Sequence, residues 1–471
     1  MKIALIDDGI NTMRFPRLDV VRDLSVSKDK VIKRETQETL ITDHGSTCAR
    51  IINKYTCGAE FISLRLFHKS DLKTSSRHLA TALGWCVEER IPIIHMSLGS
   101  SLLNDYYLLR PIIAKAIHQN QIIIAASSNS KQFSVPASIG GVISVSADET
   151  LKNDEYRVEH SIKVHTNFFA SSKHILEAEQ GCYAITPLTN SYAAPTITAK
   201  VHDYLRRFLP LSKTPIEVFQ YLAKQDILPR FPKPDFIYNP IIIEPKENKK
   251  IYKRYFFTKV TPLLKGNCDE TRRMDMILFP GILEPDIPDV STVNNVLIVG
   301  EAISNEKPIG KGFIWREIDL KEFCNDNKNE SKEIDCPIIR VIGTEREMLT
   351  VSMQLVKMFR DSGYQCLCVS DLPYAYLYEM EYQPCLFENL DALHGMSNYY
   401  QPDIILLAST KADRDIAIED ILTIILNESD NVKPRSGYKA DGNLIYFPWT
   451  KKIDSEKLFD IVLKRFSQII E

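Results

Sequence analysis

Short apolar runs bounded by turn-forming residues alternate along this chain with segments of helical spacing. Lys2-Ile3-Ala4-Leu5-Ile6 is a strand-type run ending at Asp7, and Gly9 permits a sharp turn after it. Residues 42–52 read as a loop feeding a helix whose small residues allow close packing, with His44 in its first turn. Residues 190–201 repeat that pattern, with Ser191 near the helix N-terminus. Further strand-type runs lie at 93–96, 122–126 and 141–147, and in the second half at 276–279 and 296–299. A strand at 337–342, a turn at 343–349, an amphipathic helix at 350–362 and a strand at 365–369 form a βαβ unit, which implies parallel pairing. Residues 404–408 add another buried strand, so the pattern is that of an α/β protein.

Three of these element boundaries carry chemistry. Asp7 falls at the C-terminal edge of its strand, where open parallel sheets collect ligands and catalytic groups. At Ser191 the free N–H groups and dipole of a helix start favour oxygen chemistry. Asp7, His44 and Ser191 stand in the order Asp, His, Ser. Among convergent triads, chymotrypsin-like enzymes run His, Asp, Ser and α/β-hydrolases run Ser, Asp, His, while Asp, His, Ser is the order of subtilisin.

On these residues the chain resembles the subtilisin-like serine proteases, over about residues 1–205. Ile93-Ile94-His95-Met96-Ser97-Leu98-Gly99 resembles the family strand that lines the substrate cleft. Ile122-Ile123-Ile124-Ala125-Ala126-Ser127-Ser128-Asn129 resembles the strand that delivers the oxyanion-hole asparagine. Val135-Pro136-Ala137 and residues 141–147 follow the family's next strand. The resemblance implies a subtilisin-like parallel sheet flanked by helices. It makes Ser191 the nucleophile, His44 the general base and acid, and Asp7 the group that holds the imidazole tautomer. Asn129 and the Ser191 backbone N–H become the oxyanion donors. Ser97, Leu98 and Gly99, with Ala126, Ser127 and Ser128, are expected on either side of an extended substrate, pairing with its backbone by strand addition.

The chain departs from the family at several places. Thr189-Asn190 stands where Gly-Thr usually precedes the nucleophile, Tyr192 where Met follows it, Ser128 where Gly precedes the oxyanion asparagine, and Thr47 where a second histidine follows His-Gly. Glu179-Gln180-Gly181 replaces the usual Ala-Pro-Gly. None of these removes a group that does chemistry. Alone, Asp7 reads as a turn aspartate, His44 as a helix-start residue and Ser191 as an N-cap; the blocks in family order argue against that for all three together. Asp8 and Asp43 read as turn or solvent-facing groups, and His95, within an apolar run, as a packed core residue.

Composition narrows the setting. A chain of 471 residues exceeds the usual single core, and 44% hydrophobic residues suit folded domains. A net charge of -3 with both signs interspersed argues against nucleic acid or an anionic membrane as partner. No apolar run approaches the about 18 residues that span a bilayer. Met1 leads directly into the strand carrying Asp7, so neither a removable signal peptide nor a propeptide is expected, and the expected location is cytoplasmic. The ten cysteines are scattered without C-x-x-C spacing, which reads as free thiols in a reducing compartment. Cys366 and Cys368 face one side of a strand, with burial favoured over metal binding. No metal and no cofactor is expected.

The expected domains are a peptidase at 1–228, a proline-rich and charged linker or wrapped arm at 229–254, and a C-terminal α/β domain at 255–471. The last resembles the P-loop nucleotide-binding fold, with Gly343-Thr344-Glu345-Arg346-Glu347-Met348-Leu349-Thr350 at the loop. There Met348 replaces the second glycine and Leu349 the lysine, and Glu345 and Glu347 put negative charge where phosphate would sit, so nucleotide hydrolysis is not expected. The reading is a serine endopeptidase acting on a peptide or precursor protein. Its layout resembles processing proteins of ribosomally made peptides from which a leader is removed. A partner protein or self-association through the C-terminal domain remains open, as do a non-catalytic peptide-binding protein and a nucleotide-dependent enzyme.

Overall fold

The apolar runs become inner strands. The computed structural model describes residues 1–27, 29–34, 42–67, 74–159, 168–177, 182–209, 213–224, 231–243, 261–262, 274–279, 293–299, 311–317, 334–372, 374–383, 390–410, 422–427, 439–441, 444–448 and 455–470. Residues 178–181, the charged run at 244–254, the segment 324–333, and Cys268, Cys324 and Cys385 lie outside the described residues. The chain divides into two compact units, one of residues 1–244 with 257–316 and one of residues 245–256 with 317–471.

The first unit is built on β1 (Lys2–Asp7), β2 (Val20–Ser27), β3 (Lys30–Lys33), β4 (Glu60–Arg65), β5 (Ile93–Met96), β6 (Ile122–Ala126), β7 (Ile143–Ala147), β8 (Tyr156–Val158) and β9 (Phe168–Ala170). These form one sheet in the order β3-β2-β4-β1-β5-β6-β7-β9-β8. β1 lies between β4 and β5 and runs parallel to both, while only the edge strands β3 and β8 pair antiparallel. Parallel neighbours need crossovers. These contain α1 (His44–Tyr55), α2 (Ser76–Glu88) and α3 (Leu103–His118), and α4 (Asn190–Arg207) and α5 (Pro215–Ala223) follow the sheet. Ile3, Leu5, Ile6, Ile93, Ile94 and Ile124 are fully buried, as strands covered on both faces must be. A hairpin of β10 (Ile175–Glu177) and β11 (Tyr183–Ile185) precedes α4.

A five-stranded sheet completes this unit: β12 (Ile241–Ile243), β13 (Thr261–Pro262), β14 (Met274–Leu278), β15 (Val293–Ile298) and β16 (Ile314–Arg316), in the order β13-β12-β14-β15-β16. Residues 231–243 are therefore a packed arm: Phe231, Phe236 and Ile237 are buried, and Trp315 Nε1 donates to the Phe231 carbonyl at 2.9 Å. Buried Asp275 on β14 accepts from the backbone N–H groups of Tyr238 (2.7 Å) and Asn295 (3.1 Å) and bonds His118 at the end of α3 (3.2 Å). Pairing between β12 and β14 ties residues distant in the chain within this unit.

The second unit is also α/β. β17 (Ile338–Ile342), α6 (Glu345–Asp361), β18 (Cys366–Ser370), β19 (Glu381–Tyr382), α7 (Leu390–Tyr400), β20 (Ile404–Ser409), β21 (Leu422–Asn427), β22 (Lys439–Asp441), β23 (Leu444–Pro448) and α8 (Ser455–Ile470) follow one another. The sheet order is β19-β18-β20-β17-β21-β23-β22, antiparallel only between β22 and β23. The helix expected at 350–362 begins earlier, at Glu345, because Thr344 and Glu347 form a capping box. Met348 and Leu349 are buried in the core. Cys366 and Cys368 are buried, and burial pushes the Cys366 thiol up to about 12, so both behave as packed thiols. Among the described residues no helix is long and apolar enough to cross a membrane.

Candidate active site

Asp7 ends β1 with its carboxylate buried. Its two oxygens lie 2.8 and 3.0 Å from His44 Nδ1, and the nearer one also accepts the Asp8 N–H at 2.8 Å. A carboxylate only accepts here, so Nδ1 carries the proton and Nε2 is left as the basic nitrogen. Burial disfavours the imidazolium, but the charge and hydrogen bond of Asp7, with the charge of Asp8, outweigh it and raise the His44 pKa.

His44 is the first residue of α1, and what holds it there is Asp8. Far from facing solvent, Asp8 is 1% exposed and accepts from the N–H groups of His44 (3.3 Å) and Gly45 (2.7 Å) and from the Thr42 hydroxyl. An anion at a helix start suits the free N–H groups and the dipole. Burial, and then the Asp7 charge, raise its pKa. Gly45 lets the helix come this close: a Cβ there would sit 2.7 Å from the Gly9 carbonyl oxygen and 2.9 Å from Asp8 Oδ1. Asp43 bonds Arg14 at the surface, as a solvent-facing group.

Ser191 is the second residue of α4, where the backbone N–H has no acceptor within the helix. Pro195 lacks an N–H, so the Ser191 carbonyl four residues earlier has no helical partner either. Ser97 supplies one: its hydroxyl donates to the Ser191 carbonyl at 2.8 Å, while Ser191 Oγ donates to the Ser97 carbonyl at 3.1 Å. His95 underlies this exchange, with Nε2 2.9 Å from Ser97 Oγ and Nδ1 2.8 Å from Thr198 Oγ1 on α4. Burial pushes His95 down to about 4, so it is a neutral bridge as well as a core residue. The structure thus brings Asp7 and His44 together, while the Ser191 hydroxyl rests on Ser97 and makes no hydrogen bond to His44. Tyr192 lays its ring against the His44 imidazole, centroids 5.2 Å apart. Its carbonyl accepts from His174 Nε2 at 2.9 Å, and Tyr55 OH donates to His174 Nδ1 at 3.0 Å.

Asn129 follows β6. The Asn190 N–H, the first of α4, can only donate, so the atom 3.0 Å away is the amide oxygen of Asn129 and not its NH2 group. Asn190 builds that corner. Its own side-chain N–H groups reach the carbonyls of Ser127 and Ser128, both at 3.0 Å, and its amide oxygen accepts from Ala147 N at 2.7 Å. One buried amide therefore joins the ends of β6 and β7 to the start of α4. Of the expected substrate-pairing residues, Ser97 and Ala126 are buried, Leu98, Ser127 and Ser128 half-buried, and Gly99 exposed. A cavity of about 830 Å³ opens beside Asn129, lined in part by Ser127, Ser128, Ser146, Asp148 and Arg157.

Sequence reading missed Asp8, His95, His174 and Asn190 as parts of the site. Adjacency to Asp7, and the departure at Asn190, were the available signals; the two histidines lie far from the triad in sequence and carried none.

The model of the Subtilase family matches residues 1–272. Among solved structures, a lanthipeptide protease is 15% identical, with 48% of this chain and 79% of that chain covered and a TM-score of 0.38. The epidermin leader peptide processing serine protease from Staphylococcus aureus is 17% identical, with 47% and 68% covered and a TM-score of 0.36. The prenylagaramide maturation protease PagA is 18% identical, with 48% and 77% covered and a TM-score of 0.33. No match is found among curated proteins.

Proposed function

The chain belongs to the subtilase family of serine proteases, and from that premise we propose that it is an endopeptidase working through Asp7, His44 and Ser191. The observation that carries this is the buried Asp7 carboxylate on Nδ1 of His44, at 2.8 and 3.0 Å, which leaves Nε2 free as a base. Ser191 Oγ turns from Ser97 to His44 and attacks the peptide carbonyl carbon as Nε2 takes its proton. The oxyanion accepts from the Asn129 NH2 group and the Ser191 N–H. Collapse to the acyl-enzyme expels the amine with the proton from His44, and water repeats the sequence to release the acid. The substrate lies extended between residues 97–99 and 126–128, and the cavity beside Asn129 takes the side chain whose carbonyl is attacked.

The narrower reading is specific processing of a precursor peptide, including leader removal. It rests on the layout of a protease unit followed by a second α/β unit, in which partner docking or self-association would act on substrate choice. In that unit the expected likeness to the P-loop fold finds no support: residues 345–350 are the first turns of α6, behind its Thr344 cap. Glu347 Oε2 accepts the Thr344 N–H at 3.2 Å, and Gly343 answers to packing, since a Cβ there would lie 2.9 Å from Leu426 Cβ. The free thiols of the described cysteines suit a reducing compartment.

A serine-directed phosphonate tests the central claim. It is expected to add one adduct, on Ser191, in the folded chain; absence of labelling favours the second reading, a peptide-binding protein. The resting hydrogen bond of Ser191 Oγ to the Ser97 carbonyl is the observation on that side.

Asn129→Ala is expected to lower kcat by about 10²- to 10³-fold with KM little changed, because the oxyanion exists only in the transition state. Steady-state kinetics on a cleaved peptide check this. A second expectation concerns pH. The reaction needs neutral His44, and its raised pKa keeps the imidazolium to higher pH. The acid limb of kcat/KM therefore lies above the ordinary histidine value of about 6.5, and activity is gained as pH rises through it. A limb below that value contradicts the coupling to Asp7.

A further inference from the structure

Tyr192, the residue after the proposed nucleophile, meets the proposed base with its ring. It is the third residue of α4 and half-buried, its centroid 5.2 Å from that of the His44 imidazole and the two planes 39° apart. Among the described residues its hydroxyl makes no hydrogen bond, so the ring and not the phenol oxygen is what His44 meets. Burial, with Cys48, Asp7 and Asp8 nearby, pushes that hydroxyl up to about 12, so the ring stays neutral wherever a histidine base works. The backbone beneath it is tied down. The Tyr192 carbonyl accepts from His174 Nε2 at 2.9 Å, and burial, with the Lys54 charge, lowers the His174 pKa and keeps that imidazole neutral. Nδ1 of His174 accepts from Tyr55 OH at 3.0 Å, and the His174 N–H donates to Thr186 Oγ1 at 2.8 Å. Tyr55 ends α1, the helix that His44 begins, so Tyr55 and His174 join the far end of α1 to the first turn of α4. Thr56, the cap of α1, adds a second tie, its hydroxyl lying 2.7 Å from His202 Nδ1 on α4.

We infer that Tyr192 is a positioning residue whose ring face holds the His44 imidazolium, with Tyr55 and His174 keeping that ring in place. An aromatic face carries partial negative charge and attracts a cation within about 6 Å of its centroid. Neutral imidazole draws little from it. The attraction therefore grows as Nε2 takes the Ser191 proton, in the transition state, and acts on kcat rather than KM. That consequence rests on the proposed triad; the contact between ring and imidazolium does not. The other groups that face His44 leave room for this contribution. Asp7 and Asp8 at the end of β1 raise its pKa by their charge. Cys48 on α1 is a buried thiol held well above its ordinary range, His95 on β5 is pushed down to about 4 and is neutral, and Asp43 is paired with Arg14. Covering His44 and facing it with a ring have opposite signs: burial disfavours the imidazolium, whereas the ring face favours it. A leucine or methionine keeps the cover and removes the face, and a phenylalanine keeps both.

The imidazole signals of the full-length Ser191→Ala chain, which cannot turn over, are followed by NMR through a pH titration, His44 being identified by its loss in His44→Ala. Adding Tyr192→Leu or Tyr192→Met is expected to lower the His44 pKa by about 0.5 to 1 pH unit, and adding Tyr192→Phe to leave it in place. An unmoved pKa in both ringless variants, or an equal fall in Tyr192→Phe, overturns the contact. With Ser191 intact, the ringless variants are expected to lower kcat about three- to tenfold with KM little changed and to move the acid limb of kcat/KM to lower pH, and Tyr192→Phe to restore both. A rise in KM with kcat and limb unchanged makes Tyr192 a substrate-packing group and overturns its role. Tyr55→Phe, which removes the donor to His174, is expected to lower kcat in the chain with Tyr192 and to add nothing in Tyr192→Leu; additive losses overturn the part given to Tyr55 and His174. The expected pKa shift in a chain without peptidase activity upholds the contact and refutes the protease reading.

Discussion

Alanine at position 191 is expected to lower kcat on a cleaved peptide by on the order of 10⁶-fold, the size of loss found for the nucleophile of subtilisin. The substitution removes the hydroxyl proposed as the nucleophile. The backbone that forms the site stays: the Ser191 carbonyl keeps its bond from Ser97 Oγ at 2.8 Å, and Asn190 N keeps Asn129 at 3.0 Å. What is lost from the fold is a single bond, from Ser191 Oγ to the Ser97 carbonyl. KM and the thermal midpoint should therefore stay near those of the unsubstituted chain, and residual turnover should reflect the oxyanion donors and binding alone. Turnover within tenfold of the parent would move the nucleophile elsewhere.

Asp7→Asn should cost about 10⁴-fold in kcat. The Asp8 N–H demands an acceptor at Oδ1, so the amide of an asparagine would turn its oxygen there and place its NH2 group at the Oδ2 position, 3.0 Å from His44 Nδ1. A donor facing Nδ1 favours the ring proton on Nε2, where it blocks proton transfer from Ser191. A second signature follows from charge. Asp7 is the main group that raises the His44 pKa against burial. In the variant the acid limb should move to lower pH while the plateau falls. Measured profiles of kcat/KM for both chains check this. An equal fall in rate with an unmoved limb would mean that Asp7 only packs against the ring. Asp8 keeps its bonds to the start of α1, so folding should survive.

Much of the first unit was legible because its signals are local. The run 2–6 had to be a strand, and its polar end had to lie at the sheet edge. His44 before Gly45 and Ser191 before Ala193-Ala194 announced helix starts tight enough for close packing. Asp8 was misread because a turn aspartate and a buried helix cap share the same local sequence; only the approach of α1 to β1 tells them apart. His95 bonds Thr198, 103 residues along the chain, and His174 bonds the Tyr192 carbonyl, partners that no spacing reports. The five-stranded sheet was missed for the same reason, since its strands are short and its order is set by non-local pairing. In the second unit the helix start shifted from 350 to Glu345 because a capping box outweighed the expected turn.

What the sequence by itself determined about this protein is the order of its candidate site residues: an aspartate, a histidine and a serine, each at the end of an element whose apolar pattern is local and therefore readable. The tertiary structure decided how those ends meet. It turned Asn190 into a clamp between the ends of β6 and β7 and the start of α4, paired the Ser191 and Ser97 backbones through their side chains because Pro195 cannot donate, and set Cys48 beside Asp7 and His44. Such arrangements depend on buried polar groups that must find partners wherever folding brings them, and those partners lie far along the chain.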